Sequence, residues 1–183
     1  MDLFSANQLM WSAFIVGNSA PLLFIALYNT QKISRELFIL YFLGVLVGLT
    51  WEIPFALAGK SFHLILIDWP IDLPLVRNIT YSFIDGLIFV AGVFLAKAFL
   101  KNKQFLYNYS STALLIMILW GSFSEFLVDL NGNGKLWLFI ENWYNPVFIT
   151  INGNSLTIIP QLIWFVAPIL YYFTVLKCLS KIP

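Results

Sequence analysis

Three acidic residues stand inside long apolar stretches of this chain: Glu52, in the segment GVLVGLTWEIPFALAG, and Asp85 and Glu125 further on. A charge near the centre of a bilayer costs at least ~2.5–3.5 kcal/mol on insertion scales, so an ionisable residue within a spanning segment is a functional-site candidate. Carboxyl groups in a dry pocket can donate and accept the protons that acid–base catalysis moves. We therefore predict that Glu52, Asp85 and Glu125 are catalytic. The alternative is that they only form interhelical hydrogen bonds.

The composition indicates a membrane protein. Of the 183 residues, 60% are hydrophobic and 10% are charged, whereas soluble domains have about 45–50% apolar and about 25% charged residues. A formal net charge of +1 provides no basic face, so we predict no nucleic-acid partner. The single cysteine, Cys178, excludes an internal disulfide. No metal-ligand pattern is evident, and we predict neither a metal nor a cofactor.

Five apolar runs reach the ~20 residues that a spanning helix needs. They cover residues 8–28, 37–59, 78–100, 106–130 and 158–179. We predict one all-α integral membrane domain, a bundle of five transmembrane helices. Lys and Arg concentrate on one side of the bundle, which places the N-terminus outside and the C-terminus in the cytoplasm. The expected location is the endoplasmic reticulum membrane of a eukaryote or the cytoplasmic membrane of a prokaryote.

The alternating direction of these helices brings the three acids to one depth. Each acid stands six or seven residues from the predicted outer end of its helix, about 9–10 Å below the outer boundary at ~1.5 Å per residue. We therefore predict a pocket that opens toward the outer side. The polar and aromatic residues near this level are predicted to bind the substrate: Trp51, Ser82, Gln161 and Trp164.

The outer loop, residues 131–157, carries two turn signals. Asn152-Gly153 lies between β-favouring residues and is typical of a hairpin, which would cover the pocket as a lid. An irregular interfacial loop is the alternative. The segment DLNGNG imitates the start of a calcium loop, but its twelfth position is Ile140 rather than Glu, and we favour a turn. His63, the only histidine, is predicted to lie in an interfacial segment rather than a metal site.

The last apolar run resembles the last helix of the emopamil-binding protein family, which shares the EXPERA domain and includes sterol Δ8–Δ7 isomerases and the sigma-2 receptor. In QLIWFVAPILYYFTVLK, Gln161, Trp164 and Pro168 stand at the spacing of the family's amide, Trp and Pro, with Gln in place of Asn. The family has about five spanning helices. The resemblance implies a pocket for a sterol-like ligand.

Two further segments loosely resemble this family: NITYSF at residues 78–83 and FSEFLVDL at residues 123–130. By the resemblance, Glu52 takes the role of the acid late in helix two. The isomerases carry a histidine four residues before that acid, where this chain has Gly48. They carry a Glu at the start of helix three, where this chain has Arg77.

A second resemblance is to small membrane-bound terpene cyclases of fungal meroterpenoid pathways. TWEIPFA at residues 50–56 is similar to their WE motif, and FIDGLIFVAGVFLAK at residues 83–97 is similar to their following helix. Those proteins have about seven helices and a late catalytic Asp, which the fifth run lacks. Both resemblances imply protonation of a lipid in a membrane pocket and quenching of a carbocation.

We therefore expect a membrane isomerase or cyclase for a sterol-like or terpenoid lipid, with Glu52 as general acid and Trp164 stabilising the cation. A non-catalytic lipid-binding or trafficking protein of the EXPERA type is the alternative, and a proton-coupled carrier is a third. The expected partners are the hydrophobic ligand and the surrounding membrane lipids, with a homodimer as a further expectation.

Overall fold

The structure, a computed structural model, describes residues 4–101, 104–151 and 153–180. It is 72% helical. The five long helices are α1 (Ala6–Asn29), α2 (Arg35–Ala58), α3 (Pro74–Leu100), α4 (Ser111–Gly132) and α5 (Ile158–Leu179). Each is long and apolar enough to cross a membrane. The prediction of a mostly helical chain with five candidate membrane spans is thereby confirmed.

Local capping explains where the helices begin. At α1 the Ser5 side chain accepts from the Gln8 backbone N–H, and the Gln8 side chain accepts from the Ser5 backbone N–H. α3 begins four residues before its predicted start because Pro74 fits a first helical turn. α4 begins five residues after its predicted start, since residues 104–106 form a separate 3₁₀ turn and Ser110 caps the helix.

The helices alternate in direction, so their links meet at two ends of the bundle. At one end the link between α3 and α4 reaches both neighbours. Tyr107 donates a hydrogen bond to Glu36 near the start of α2, and Tyr172 near the end of α5 donates to the Phe105 carbonyl at 2.8 Å. At the other end Asn78 of α3 bonds to Glu52 of α2.

Glycines let neighbouring helices approach closely. A Cβ on Gly44 of α2 would lie 3.0 Å from the Cα of Gly86 on α3. A Cβ on Gly121 of α4 would lie 2.8 Å from the Pro168 ring of α5. Such small-residue contacts are typical of helix packing in membranes, where the lipid provides no hydrophobic driving force between helices.

Four short strands lie at the end of the bundle where α2 and α4 finish. β1 (His63–Ile65) pairs antiparallel with β2 (Trp137–Phe139), and β3 (Val147–Ile151) with β4 (Asn154–Thr157). The predicted hairpin is confirmed, although Asn152 of its turn lies outside the described residues. The chain is therefore not purely α-helical.

The outward faces of the helices are apolar. More than half of the side chain remains exposed at Leu22, Leu57, Phe99, Leu119 and Phe173, which come from all five helices. Exposed apolar side chains on every helix are typical of a surface that contacts a membrane or another protein. Together with the five long helices, it is compatible with a multi-pass membrane protein.

Candidate functional site

One cavity of about 490 Å³ lies at the end of the bundle that carries the strands. All five helices, β1 and β2 contribute to its wall, which is mainly apolar and aromatic. Glu52, Asp85 and Glu125 all line it. The structure therefore brings together the three acids that the depth argument places at one level. The volume falls within the ~300–1,000 Å³ of small-molecule pockets.

Glu52 is held by residues at the start of α3. The Asn78 Nδ2 donates a hydrogen bond of 2.6 Å to the Glu52 Oε2, and the Asn78 side chain is 1% exposed. An Nη2 of Arg77 donates to the Asn78 Oδ1 at 3.4 Å, and its positive charge lies within electrostatic reach of Glu52. Asn78 and the neighbouring Trp51 therefore both contribute hydrogen bonds that hold the Glu52 carboxyl group in place.

Asp85 fills the space beside a glycine of α2. A Cβ on Gly48 would lie 2.5 Å from the Asp85 Oδ2 and 3.0 Å from its Cβ. The buried Oδ2 has no hydrogen-bond partner in the described part of the chain. The side-chain volume that Gly48 lacks is thus occupied by an acid of α3.

Glu125 belongs to a pair of acids on α4. Asp129 follows it by one helical turn, and both carboxyls are buried. Glu125 also lies within electrostatic reach of Asp85 and Glu52. Asp129 accepts hydrogen bonds from the Gln161 Nε2 at 3.1 Å and from the indole N–H of Trp137 at 3.4 Å. The four carboxyl groups therefore form one electrostatic cluster.

Two of the predicted substrate-binding residues line the cavity and two do not. Trp51 and Trp164 lie on its wall with ring centroids 5.6 Å apart. Ser82 is fully buried and donates to the Asn78 carbonyl, so its role is to hold α3 together. Gln161 reaches the site only through Asp129. The geometry therefore does not favour direct contact between a substrate and Ser82 or Gln161.

The β1–β2 sheet covers the cavity. His63 of β1 stacks on Phe139 of β2, with centroids 4.8 Å apart and planes 14° apart. Trp137 lies directly over Gly132, where any Cβ would collide with its ring. His63, Trp137 and Phe139 line the cavity, whereas no residue of the β3–β4 hairpin does. The outer loop thus reaches the cavity through β2, whereas the lid role of the β3–β4 hairpin stays a prediction.

Besides Asp85, two polar side chains in the cavity wall lack partners among the described residues. Both ring nitrogens of His63 and the hydroxyl of Tyr81 are buried without a hydrogen bond. Burial lowers the pKa of His63 to about 3, and the nearby charge of Arg77 acts in the same direction. The imidazole is therefore neutral at pH 7.

Sequence reasoning missed four residues of this site: Asn78, Tyr81, Asp129 and His63. Asp129 had a usable signal, since it lies four residues after Glu125 on the same helix face, but it also begins the DLNGNG turn segment. Across residues 4–101, 104–151 and 153–180, no cluster of His, Cys, Asp and Glu has an arrangement that would hold a metal ion.

The site and fold define a class: a five-helix bundle, compatible with a membrane, that encloses an acid-lined apolar cavity under a small sheet. No protein-family model, curated protein or solved structure matches this chain.

Proposed function

We propose that this protein is a membrane-embedded acid–base catalyst that acts on a sterol-like or terpenoid lipid. The observation that supports the proposal is the convergence of Glu52, Asp85 and Glu125, from three helices, on one largely apolar cavity. An apolar lipid gains free energy from such a wall, about 25 cal/mol per Å² of apolar surface buried. The carboxyl groups supply the proton donor and the proton acceptor that the proposed reaction needs.

The proposed reaction moves one proton onto the lipid and another off it. Protonated Glu52 adds its proton to one carbon of an alkene, and the adjacent carbon becomes a carbocation. Asp85 or Glu125 then removes a proton from a neighbouring carbon, and the electron pair of that C–H bond forms the shifted double bond. In a cyclisation, a second alkene attacks the cation before the proton leaves. Transfer from the base back to Glu52 restores the starting state.

The surrounding residues support these steps. Asn78 donates to the Glu52 Oε2 and so holds the carboxyl group in a fixed position for proton transfer. Trp51 and Trp164 present aromatic rings to the cavity, and an aromatic face stabilises a cation by about 0.5–2 kcal/mol or more when water is excluded. Gln161 keeps Asp129 in place beside Glu125.

We propose that this chain is related to the emopamil-binding protein family, because Gln161, Trp164 and Pro168 have the spacing of the family's amide, Trp and Pro. The orientation we propose has the cavity on the outer side and the C-terminus in the cytoplasm, because Lys32, Arg35 and Lys97 cluster at the opposite end. Lys103 and Lys181, which add to this bias, lie outside the described residues.

A non-catalytic receptor for a lipophilic amine is the second candidate. The excess of carboxyl groups over Arg77, the single nearby guanidinium in the described chain, favours a cationic ligand. This candidate predicts tight binding of amines without a product. A proton-coupled carrier has less support, because large buried tyrosines close the opposite half of the bundle.

Turnover by purified protein separates these functions. The wild type, Glu52→Gln and the control Glu141→Gln, an exposed acid away from the cavity, are incubated in detergent with a Δ8-sterol and with a linear polyprenoid. We expect product from the wild type and the control and a loss of ~100-fold or more in Glu52→Gln. Unchanged turnover in a folded Glu52→Gln variant would refute the assignment of Glu52. Amine binding without product would favour the receptor.

A further inference from the structure

The cavity wall also carries two neutral polar side chains, His63 and Tyr81. His63 is only 6% exposed, lines the cavity, and has no partner for either ring nitrogen within the described residues. The hydroxyl of Tyr81, also in the cavity wall, is likewise buried and unpaired. A buried polar group without a partner is destabilising, so a ligand that supplies the missing hydrogen bonds recovers the lost free energy.

His63 and Tyr81 contact the same tryptophan, Trp137. The Trp137 ring makes edge-to-face contacts with both, with centroid distances of 6.3 Å to His63 and 5.5 Å to Tyr81. The indole N–H of Trp137 is already used by Asp129. The two unpaired groups therefore flank a ring that has no donor left to offer either of them.

The chemistry of this pair selects a neutral headgroup. Imidazole offers one donor and one acceptor in its neutral form, and a phenol offers both as well. A lipid hydroxyl group, which is both a donor and an acceptor, can form a hydrogen bond with either of these side chains. An anionic headgroup would face repulsion from Glu52, and Asp72 already lies within reach of the one nearby cation, Arg77, in the described chain. A cationic headgroup would be attracted by Glu52, which lies within electrostatic reach of Tyr81, rather than by the neutral side chains of His63 and Tyr81.

We propose that His63 and Tyr81 form a subsite that binds the hydroxyl group of a lipid alcohol. The apolar body of that lipid then extends from the β1–β2 sheet toward Glu52, Asp85 and Glu125. This inference rests on the proposed lipid-binding function and narrows the ligand to alcohols.

The test compares alcohols with the matching hydrocarbons. Binding of cholesterol against cholest-5-ene, and of farnesol against its deoxy hydrocarbon, is measured with the full chain in lipid nanodiscs. We expect the wild type to bind the alcohol about tenfold more tightly in at least one pair, in line with one or two buried hydrogen bonds. His63→Phe and Tyr81→Phe should each abolish most of that preference without changing hydrocarbon affinity. The control Tyr144→Phe, at an exposed tyrosine, should retain the preference.

The absence of any preference in both pairs, including the case in which neither alcohol binds, would overturn the subsite. A preference that survives both substitutions would overturn it as well. Failure of the catalytic proposal gives a different result: the alcohol preference is present, but no variant or wild type forms product. Glu52→Gln should keep the alcohol preference even where it loses turnover.

Discussion

The two ends of the helical bundle use buried polar groups in opposite ways. At the closed end, defined by Tyr41, Tyr171 and Tyr172, each hydroxyl donates to a backbone carbonyl of another element. The acceptors are Phe83 at 3.2 Å, Leu40 at 3.1 Å and Phe105 at 2.8 Å. These bonds tie α2, α3, α5 and the link before α4 together.

The cavity end leaves several of its polar groups without hydrogen-bond partners among the described residues. His63, Tyr81 and the Oδ2 of Asp85 are buried without partners in the described chain. Since unpaired buried groups are rare in native proteins, their concentration on one cavity needs an explanation. Polar side chains at the closed end stabilise the fold, whereas those at the cavity end retain bonding capacity for a ligand. Substitutions at the closed end should therefore mainly lower the free energy of unfolding, whereas those at the cavity end should mainly change ligand binding or turnover.

The largest expected effect is on turnover. Asp85→Asn or Glu125→Gln should lower product formation by ~100-fold or more, since one of them removes the proton from the intermediate. The measurement is initial rate with the lipid that the wild type converts. Tyr171→Phe, at the closed end, should retain turnover within a few-fold. Equal losses at both ends would remove the functional distinction between them.

The next effect is steric and tests how Asp85 is held. Gly48→Ala places a Cβ 2.5 Å from the Asp85 Oδ2, and such overpacking costs about 1–3 kcal/mol. The free energy of unfolding in mixed micelles measures this cost. Combining Gly48→Ala with Asp85→Ala should recover most of it, as expected for two residues in direct contact. Simple additivity of the two substitutions would show that the contact is absent.

Removing one tyrosine hydroxyl at each end compares the stability contribution of a hydrogen-bonded hydroxyl with that of an unpaired one. Tyr171→Phe removes the donor to the Leu40 carbonyl and should destabilise the protein by about 1–2 kcal/mol. Tyr81→Phe removes an unpaired hydroxyl and should leave stability unchanged or slightly higher. Both are followed by the same unfolding titration without added lipid. A larger loss for Tyr81→Phe would contradict the comparison.

The smallest effect is a pH dependence at the cavity end. The pKa of His63 is about 3 in the folded protein, below the ~6.5 of an exposed histidine. The unfolded chain therefore takes up the extra proton as pH falls below ~6.5, and stability contributed by neutral His63 is present above that pH and lost below it. Between pH 7 and 5.5 the loss should be about 1 kcal/mol.

His63→Phe is the comparison that isolates this effect, because every carboxyl group is common to both proteins. The wild type should lose about 1 kcal/mol more than His63→Phe over that pH interval. Parallel pH profiles would show that His63 is exposed or already paired.

The sequence predicts well the elements that depend only on the length of an apolar run. All five helices follow from runs of about 20 apolar residues, because a continuous apolar surface has few alternatives to a buried or membrane-spanning helix. The shared depth of Glu52, Asp85 and Glu125 follows from alternating direction and a fixed rise per residue. The observed starts of α3 and α4 differ from the predicted ones because Pro74 and Ser110 provide local helix-start signals, which a count of apolar residues ignores.

What the sequence does not reveal depends on contacts between distant segments. The pairing of His63 with Phe139 joins strands more than 70 residues apart, and no local pattern encodes that register. Asn78 looks like an ordinary polar residue at a helix start until its contact with Glu52 is known. Gln161 was placed in the pocket from its depth alone, but its rotation about α5 directs it to Asp129.

The most direct test of the catalytic claim is deuterium incorporation. Purified protein in D₂O is incubated with the lipid that it converts, and the product is analysed by mass spectrometry. Protonation of an alkene by an exchangeable carboxyl group predicts one deuterium at the protonated carbon for the wild type and Glu141→Gln, and no labelled product for Glu52→Gln. A product without deuterium, or equal labelling with Glu52→Gln, would contradict acid–base catalysis by this cavity.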